Sequence, residues 1–378
     1  MESLKIVQII QKPQFRGAEL FAYQLSNHLI AQGHEVLLVC LYEGDVELPF
    51  KGPIINLQRP ENKRFFDFFG WKKFSNIIDK YHPDIIQANA ADTLKFAASS
   101  KFFYKIPIPI VFRNANKIGD FMRFPLKKII NSFYLSQVSM VLSVSKLCRK
   151  DFLKTFNISK GKVKTIEIGV ERNNSQECNL DFSIFENKKV LVHVGSFVAE
   201  KNHLGLIRIF SQVLISHPNA VLLLIGKGIL VENVREKVLE YKISKNVFFL
   251  DYREDVIQIF KKSHCLVLPS LIEGLPGVIL EAMYSKLPIV SYDVGGISEI
   301  INRDTGSLVK KNNEEEFVNQ VNRILNERDN EKIHNAFELV KRKYNNERIA
   351  QRFSKAYYKL ILSKKAEKQV KIGMQGYV

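Results

Sequence analysis

Short apolar runs recur along the chain at 4–10, 34–40, 83–88, 108–114, 141–145 and 163–171, and again at 189–194, 220–226, 247–250, 264–268 and 287–291. Runs of this kind, bounded by Gly, Pro, Asn or Ser, predict strands buried on both faces of a parallel sheet. Between them the period changes. Ala18, Phe21, Ala22, Leu25 and Leu29 recur at helical spacing and predict a helix over 18–32 that stops at Gly33. The stretch 264–291 shows the repeating unit most plainly. A strand over 264–268 stops at Pro269 and Ser270, a loop follows, and Pro276 opens a helix that runs to about Lys286, before the next strand. Strand, loop, helix, strand is one turn of an α/β domain, whose ligands sit outside the carboxyl ends of the strands. The polar, asparagine-rich stretch 172–188 has no period and reads as a linker, and 59–73 reads as a polar, aromatic insertion. From Glu314 onward the pattern is helical and charged. Phe353, Tyr357 and Leu360 form the apolar stripe of the last helix, and 363–378 reads as a loose tail.

A chain of 378 residues exceeds one ordinary core and predicts two domains. Its 46% hydrophobic and 25% charged residues describe a soluble globular protein. Cys40, Cys148, Cys178 and Cys265 are scattered without a Cys-x-x-Cys pair, which suits a reducing cytoplasm and argues against a structural zinc site. Strand-like sequence begins at Leu4, so no secretory signal is read, and no apolar run approaches the ~20 residues a bilayer span requires. The net charge of +17 needs its own explanation. Residues 101–164 carry 14 Lys and Arg against only Asp120 and Asp151. Aromatic residues accompany them: Phe65, Phe66, Phe68, Phe69 and Trp71 upstream, then Phe102, Phe103, Tyr104, Phe121, Phe124, Phe133 and Tyr134. Part of this is core aromatics beside solvated lysines. The rest suits nucleic acid or an anionic membrane. No nucleic-acid-binding signature is present, so no nucleic-acid partner is expected, and lodging on the inner leaflet near a lipid-linked acceptor is the expectation.

The turn after residue 268 offers specific chemistry. The free amides around Leu275, Pro276, Gly277 and Val278 are the positive end of a helix and suit a phosphate or another oxygen-rich group. Glu281 lies about one turn further in and leans back towards the same mouth, where its carboxylate can accept bonds from the two hydroxyls of a ribose. Glu273, beside Gly274 and ahead of the helix, offers a second acceptor for another hydroxylated ring. One carboxylate for each of two sugars, with an anion site between them, describes a nucleotide-sugar pocket. A loop glutamate and a second one that merely favours a first helical turn is the alternative.

Glu273 and Glu281, eight apart and enclosing Gly274-Leu275-Pro276, resemble the paired-glutamate motif of the retaining glycosyltransferases of family 4, group 1. The flanks agree. Asp293-Val294-Gly295-Gly296 is similar to the glycine-pair loop of that family, and Gly306 to its following tight turn. The loop Gly195-Ser196-Phe197-Val198-Ala199-Glu200-Lys201 resembles the family's diphosphate loop, with Ser196 where many members carry arginine. The resemblance implies a GT-B fold, two doubly wound Rossmann-like domains facing across a cleft, with the C-terminal helix crossing back to the first. The expected division is 1–172 for the acceptor domain, 173–188 for the linker, 189–345 for the nucleotide-sugar domain, 346–362 for the crossover helix and 363–378 for the tail.

The implied activity is transfer of a sugar from a UDP-sugar or GDP-sugar to a hydroxyl of a glycan or lipid-linked acceptor, with retained anomeric configuration, in cell-surface polysaccharide synthesis at the cytoplasmic face of the membrane. Lys201 is then the point charge on the diphosphate, although a surface lysine before a helix is the bland alternative. Glu273 orients the sugar and Glu281 holds the ribose, with Gly195, Ser196 and the loop 274–278 as donor contacts and Arg253 in the segment that meets the base. Gly17 sits in a loop similar to the family's first glycine loop, where Arg16 replaces the other glycine of the usual pair. Asn89 stands where members often place a histidine beside the transferred sugar, and Ile168 where they carry an asparagine. Asp92 binds an acceptor hydroxyl or caps the helix expected at Thr93; Arg113 meets a phosphate or pairs with a surface carboxylate. With Arg16 these two are the expected acceptor contacts. No Asp-x-Asp or His-Glu-x-x-His occurs, so neither a metal nor another cofactor is expected. A nucleotide-sugar epimerase, a phosphorylase and a catalytically silent binding protein or scaffold are the rivals; the first lacks an imidazole at Asn89 and the second would need a longer chain. The changes at Arg16, Asn89, Ile168 and Ser196 are what would favour the silent protein.

Overall fold

The computed structural model describes residues 2–14, 16–44, 46–60, 63, 66–122, 124–171 and 177–375. Phe15, Phe65 and the first part of the expected linker, 172–176, lie outside the described residues. The chain divides into two compact units, Met1–Ile168 with Asn346–Val378, and Gly169–Asn345.

In the first unit the elements are β1 (Lys5–Ile10), α1 (Gly17–Ala31), β2 (Glu35–Cys40), β3 (Ile54–Asn56), α2 (Phe68–Tyr81), β4 (Ile85–Ala88), α3 (Ala91–Tyr104), β5 (Ile110–Asn114), α4 (Pro125–Ser136), β6 (Val138–Ser143), α5 (Lys146–Thr155) and β7 (Val163–Thr165). The strands form one parallel sheet in the order β3-β2-β1-β4-β5-β6-β7. Chain order reverses between β1 and β4, which makes their carboxyl ends the switch point of a doubly wound sheet. The apolar runs behave as expected, with β1, β2, β4 and β5 buried almost throughout.

The second unit repeats the plan with β8 (Lys189–Val194), α6 (His203–Ser216), β9 (Ala220–Ile225), α7 (Val231–Glu240), β10 (Val247–Leu250), α8 (Val256–Lys261), β11 (Cys265–Leu268), α9 (Gly277–Tyr284), β12 (Ile289–Tyr292), β13 (Ser307–Val309), α10 (Glu314–Asn326) and α11 (Asn330–Lys343). Its parallel sheet runs β10-β9-β8-β11-β12-β13, so the switch point lies between β8 and β11. Each sheet has its own apolar core.

The last helix, α12 (Asn346–Gln375), belongs to the first unit. Its buried residues Ile349, Phe353, Ala356, Tyr357 and Leu360 follow the helical period, and the Phe353 ring sits 5.7 Å from that of Phe21 on α1. Arg352 pairs with Glu167, and Ser354 Oγ lies 2.8 Å from His34 Nε2. Residues 363–375 continue the helix rather than form a loose tail. The stretch Lys364-Lys365-Ala366-Glu367-Lys368-Gln369 consists of good helix formers, and no glycine interrupts it before Gly373.

Beneath the first switch point runs a buried chain of amides. The Tyr357 hydroxyl donates to Gln87 Oε1, Gln87 Nε2 donates to Asn89 Oδ1 at 3.0 Å, and Asn89 Nδ2 donates to Gln8 Oε1 at 2.9 Å. Pairing offsets the cost of burying such groups in a sheet interior, and Gln8 Nε2 is the atom of this chain of amides that has no partner among the described residues.

Three expectations shift. Pro276 is the N-cap of α9 and Gly277 its first residue. The aromatic insertion 59–73 becomes a helix from Phe68, because Asp67 accepts from the Gly70 amide (2.8 Å) and takes a buried ion pair from Arg59 Nε (2.6 Å). The strand read over 163–171 ends at Thr165, beyond which the Thr165 carbonyl accepts from Arg352 Nη2 at 3.2 Å.

Tyr357→Phe leaves Gln87 Oε1 without its donor, and is expected to lower the stability of the first unit by roughly 1–3 kcal/mol. Denaturant unfolding followed by the fluorescence of Trp71, the one tryptophan of the chain and buried in this unit, reads the loss directly.

Candidate active site

The two loops that leave the second switch point are bound to one another. After β8 the chain runs through Gly195, Ser196 and Phe197 into a short turn, Ala199–Lys201, and then into α6. Asn202, in the left-handed region at φ 56°, caps α6 by accepting from the Gly205 amide (3.3 Å) and donates to the Pro269 carbonyl (3.0 Å) just beyond β11. The Glu200 carbonyl accepts from the Leu271 amide at 2.7 Å. These ties bring Lys201 Nζ to 2.5 Å from Glu273 Oε1, in a half-buried ion pair that leaves 21% of the lysine side chain and 8% of the glutamate exposed. Lys201 and Glu273 are 72 positions apart in sequence, and here they share one charged site.

Two glycines are fixed by close approach. Gly295 has φ 59°, and a Cβ on it would lie 1.9 Å from the Glu273 carbonyl oxygen; its neighbour Gly296 donates to the Gly274 carbonyl at 2.6 Å. Gly226 has φ 142°, and a Cβ there would lie 2.2 Å from the Gly195 carbonyl. The glycine-pair loop therefore clamps the 273–274 segment, and the exit of β9 clamps the loop after β8.

Helix α9 starts at Gly277 with Gly274, Leu275 and Pro276 buried ahead of it. The amides of Gly277 and Val278 lie in its first turn. Glu281 follows one turn later, and burial raises its pKa to about 7 with no counter-charge to offset the effect. Arg253 clasps Asp255 through two contacts of 2.7 Å, and Asp255 Oδ2 also accepts from the Asn179 amide at 2.8 Å. The arginine expected near the base is thus held by its own carboxylate. Ser196 is half-buried in its loop.

Two histidines behind this site were not singled out from the sequence. His193 donates from Nδ1 to the Val267 carbonyl (2.8 Å), and its ring meets that of His203 edge-on at 4.6 Å. His203 stacks on Phe197 at 4.0 Å. Burial lowers His193 to about 4 and His203 to about 2, so both are neutral packing groups beneath the 195–201 loop. A polar residue inside the run Val190-Leu191-Val192-His193-Val194 was the available signal.

In the first unit the expected residues scatter. Gly17 begins α1 facing open space, and Arg16 is its exposed N-cap residue. Asp92 does not cap α3: the helix starts at Ala91, and Thr93 Oγ1 accepts the Ala90 amide at 2.9 Å, while Asp92 accepts from Gln11 Nε2 at 3.1 Å and pairs with Lys95 at 3.6 Å. Asn89 is 1% exposed, and its amide belongs to the buried network with Gln8 and Gln87, which corrects its expected place beside a sugar. Arg113 is not at the surface either. It is 4% exposed with its guanidinium 4.1 Å over the Phe21 ring, and burial lowers its pKa to about 10 against the opposing charge of Glu19. Part of the basic stretch lines a groove of about 540 Å³, where Lys146, Arg149, Lys160, Lys164 and Arg352 surround Glu167.

Comparison with known proteins identifies the family and the fold. Residues 15–174 match the model of Glycosyltransferase Family 4 and residues 179–343 that of Glycosyl transferases group 1. An uncharacterized glycosyltransferase of Methanocaldococcus jannaschii, MJ1607, is 26% identical over 82% of this chain and 85% of its own length. The UDP-Gal:alpha-D-GlcNAc-diphosphoundecaprenol alpha-1,3-galactosyltransferase of Escherichia coli is 28% identical over 49% of this chain and 47% of its own. The chain spans 58% of the length of MJ1059, another uncharacterized glycosyltransferase of Methanocaldococcus jannaschii. The crystal structure of Anabaena HepE in complex with UDP-glucose superposes with a TM-score of 0.81 at 19% identity, covering 94% of this chain and all of that one. The fold is GT-B, and the chain belongs to the family 4, group 1 glycosyltransferases.

The raised pKa of Glu281 sets a pH dependence. Its ordinary value is 4.5, so the folded state holds the proton more tightly than the unfolded chain; the stabilisation is complete below 4.5 and is lost as the pH rises through about 7. Relative to the parent, Glu281→Gln is expected to gain up to about 3 kcal/mol of stability between pH 5 and pH 8. Thermal unfolding of both proteins across that range measures it.

Proposed function

We propose that this glycosyltransferase retains anomeric configuration and moves a sugar from a nucleoside diphosphate sugar to a hydroxyl of a lipid-linked glycan, in cell-surface polysaccharide synthesis at the cytoplasmic face of a membrane. The ion pair of Lys201 with Glu273, beside the start of α9, carries the reading. It puts a cation suited to the departing diphosphate next to a carboxylate suited to sugar hydroxyls, at the switch point where such sheets hold ligands. The HepE structures with UDP and with UDP-glucose favour a uridine diphosphate donor. The diphosphoundecaprenol-linked substrate in the name of the Escherichia coli galactosyltransferase favours a lipid-linked acceptor.

In this reading the acceptor oxygen bonds to the anomeric carbon on the face from which the diphosphate leaves. The sugar–phosphate bond breaks with its electron pair going to the phosphate, and the acceptor proton passes to a phosphate oxygen. Lys201 and the amides of Gly277 and Val278 meet the charge that develops there, without a divalent ion. Glu273 orients the transferred sugar, and Glu281 accepts from the ribose hydroxyls. Arriving diphosphate would compete with Glu273 for Lys201 and free that carboxylate for the sugar. Arg16, Asp92 and Arg113 lie in the unit proposed to receive the acceptor.

Calorimetric titration with UDP, GDP and ADP in the presence of a chelator tests the site. One diphosphate, UDP by this reading, is expected to bind in the micromolar range, and Glu281→Ala to abolish the heat. Glu273→Gln and Lys201→Ala are expected to slow release of UDP from a UDP-sugar by about a hundredfold or more. Folded protein that binds no nucleotide would overturn the reading, and binding that returns only with a divalent ion would overturn its metal-free form.

A further inference from the structure

The first unit exposes a set of large apolar side chains on three neighbouring helices. On α4, Leu126, Ile129, Ile130 and Phe133 recur at helical spacing and so share one face, and they are 67, 66, 44 and 42% exposed. The helix turns only Asn131 and Leu135 inward. A helix on a globular domain ordinarily buries its apolar stripe and exposes its polar one; α4 does the reverse. The stripe continues onto its neighbours through ring contacts. Phe133 lies 5.1 Å from Phe102 on α3, Phe102 lies 5.3 Å from Phe103, and Phe103 lies 5.2 Å from Phe68 on α2. Phe69, beside Phe68, is 78% exposed. An apolar surface spread over three elements marks an interaction site.

The charge around it identifies the partner. Lys127 and Lys128 on α4, Lys105 beyond α3 and Lys72 on α2 are exposed, the last with its ammonium 5.5 Å over the Tyr104 ring. Between Asp92 and Asp120 the sequence has no carboxylate, nor between Asp120 and Asp151. Asp67 is buried against Arg59 and adds no negative charge at the surface. Apolar and aromatic side chains backed by lysines match the acyl boundary and anionic headgroups of a bilayer. A second copy of the chain would set these lysines against their own kind about a two-fold axis. We propose that the start of α2, the end of α3 and the exposed face of α4 form a docking surface that lies in the interface of an anionic membrane. This locates the membrane contact of the reading above, and rests on that reading only for the nature of the acceptor.

Flotation of the full chain with vesicles of phosphatidylglycerol and phosphatidylcholine, against vesicles of phosphatidylcholine alone, tests it. The parent is expected to bind the anionic vesicles at least about tenfold more tightly, and less so at high salt. The double variants Ile129→Asn/Phe133→Ser and Lys127→Glu/Lys128→Glu are each expected to lose about tenfold or more, with Trp71 fluorescence and melting unchanged because all four side chains are exposed. Absence of vesicle binding by folded protein, or binding indifferent to both variants, overturns the proposal. So does a vesicle-free dimer that Ile129→Asn/Phe133→Ser dissolves, which would give the face to a second copy. The vesicles contain neither donor nor acceptor, so failure here leaves the transferase reading standing, and failed nucleotide titration leaves this result standing.

Discussion

Parallel pairing of strands is the constraint on which the rest of the molecule depends. A parallel sheet requires a crossover after each strand, so helices cover both of its faces and every strand delivers its carboxyl end to the same edge. In the second unit β8 has β9 on one side and β11 on the other. The loops after β8 and β11 therefore leave the central pair in opposite senses and enclose the space between them. Lys201 comes from one loop and Glu273 from the other. Their ion pair is a consequence of strand order, and the hydrogen bonds from Asn202 to the Pro269 carbonyl and from Leu271 to the Glu200 carbonyl hold it in register.

Burial does different work in the two units. Behind the 195–201 loop it keeps His193 and His203 neutral, so the positive charge at that site rests on Lys201. Within α9 it raises the pKa of the Glu281 carboxyl to about 7. In the first unit the buried polar residues serve the architecture. Gln8, Gln87 and Asn89 link β1 and β4 to Tyr357 on α12, which fastens the last helix to the first sheet. Arg113 lies over Phe21, its charge opposed within the same interior by Glu19.

The polar surface of the chain is equally uneven. Arg149 donates to the Val163 carbonyl at 2.7 Å and Arg352 to that of Thr165, so the edge strand β7 is covered by arginine side chains that also border the basic groove. Covering an edge strand with cations limits pairing with other chains. The lysines of α4 differ in kind, since they accompany exposed aliphatic and aromatic groups.

How far the sequence could be read follows from the range of each interaction. The apolar runs alone determined the α/β class and nearly every principal strand, because burial on both faces of a parallel sheet leaves a local mark. Glu273, Gly274 and Glu281 were legible for the same reason: one loop and one helix start carry all three. Short strands such as β3 and β13 were not, having too few residues to show a period. Neither were the partners of Asn89, Asp92, Arg113 and Arg253, because a side chain's hydrogen bond is made across the fold while its neighbours in sequence stay silent. The polar residues inside buried runs, Gln8, Gln87 and His193, were visible as exceptions without their meaning. The sequence by itself determined which segments become strands and which loop and helix start carry the paired glutamates. Only the tertiary structure decided that Lys201 meets Glu273, that Asn89 is an architectural amide and that α4 turns its apolar stripe outward. Those outcomes depend on the order in which strands pair, and strand order is set by packing between segments far apart in the chain.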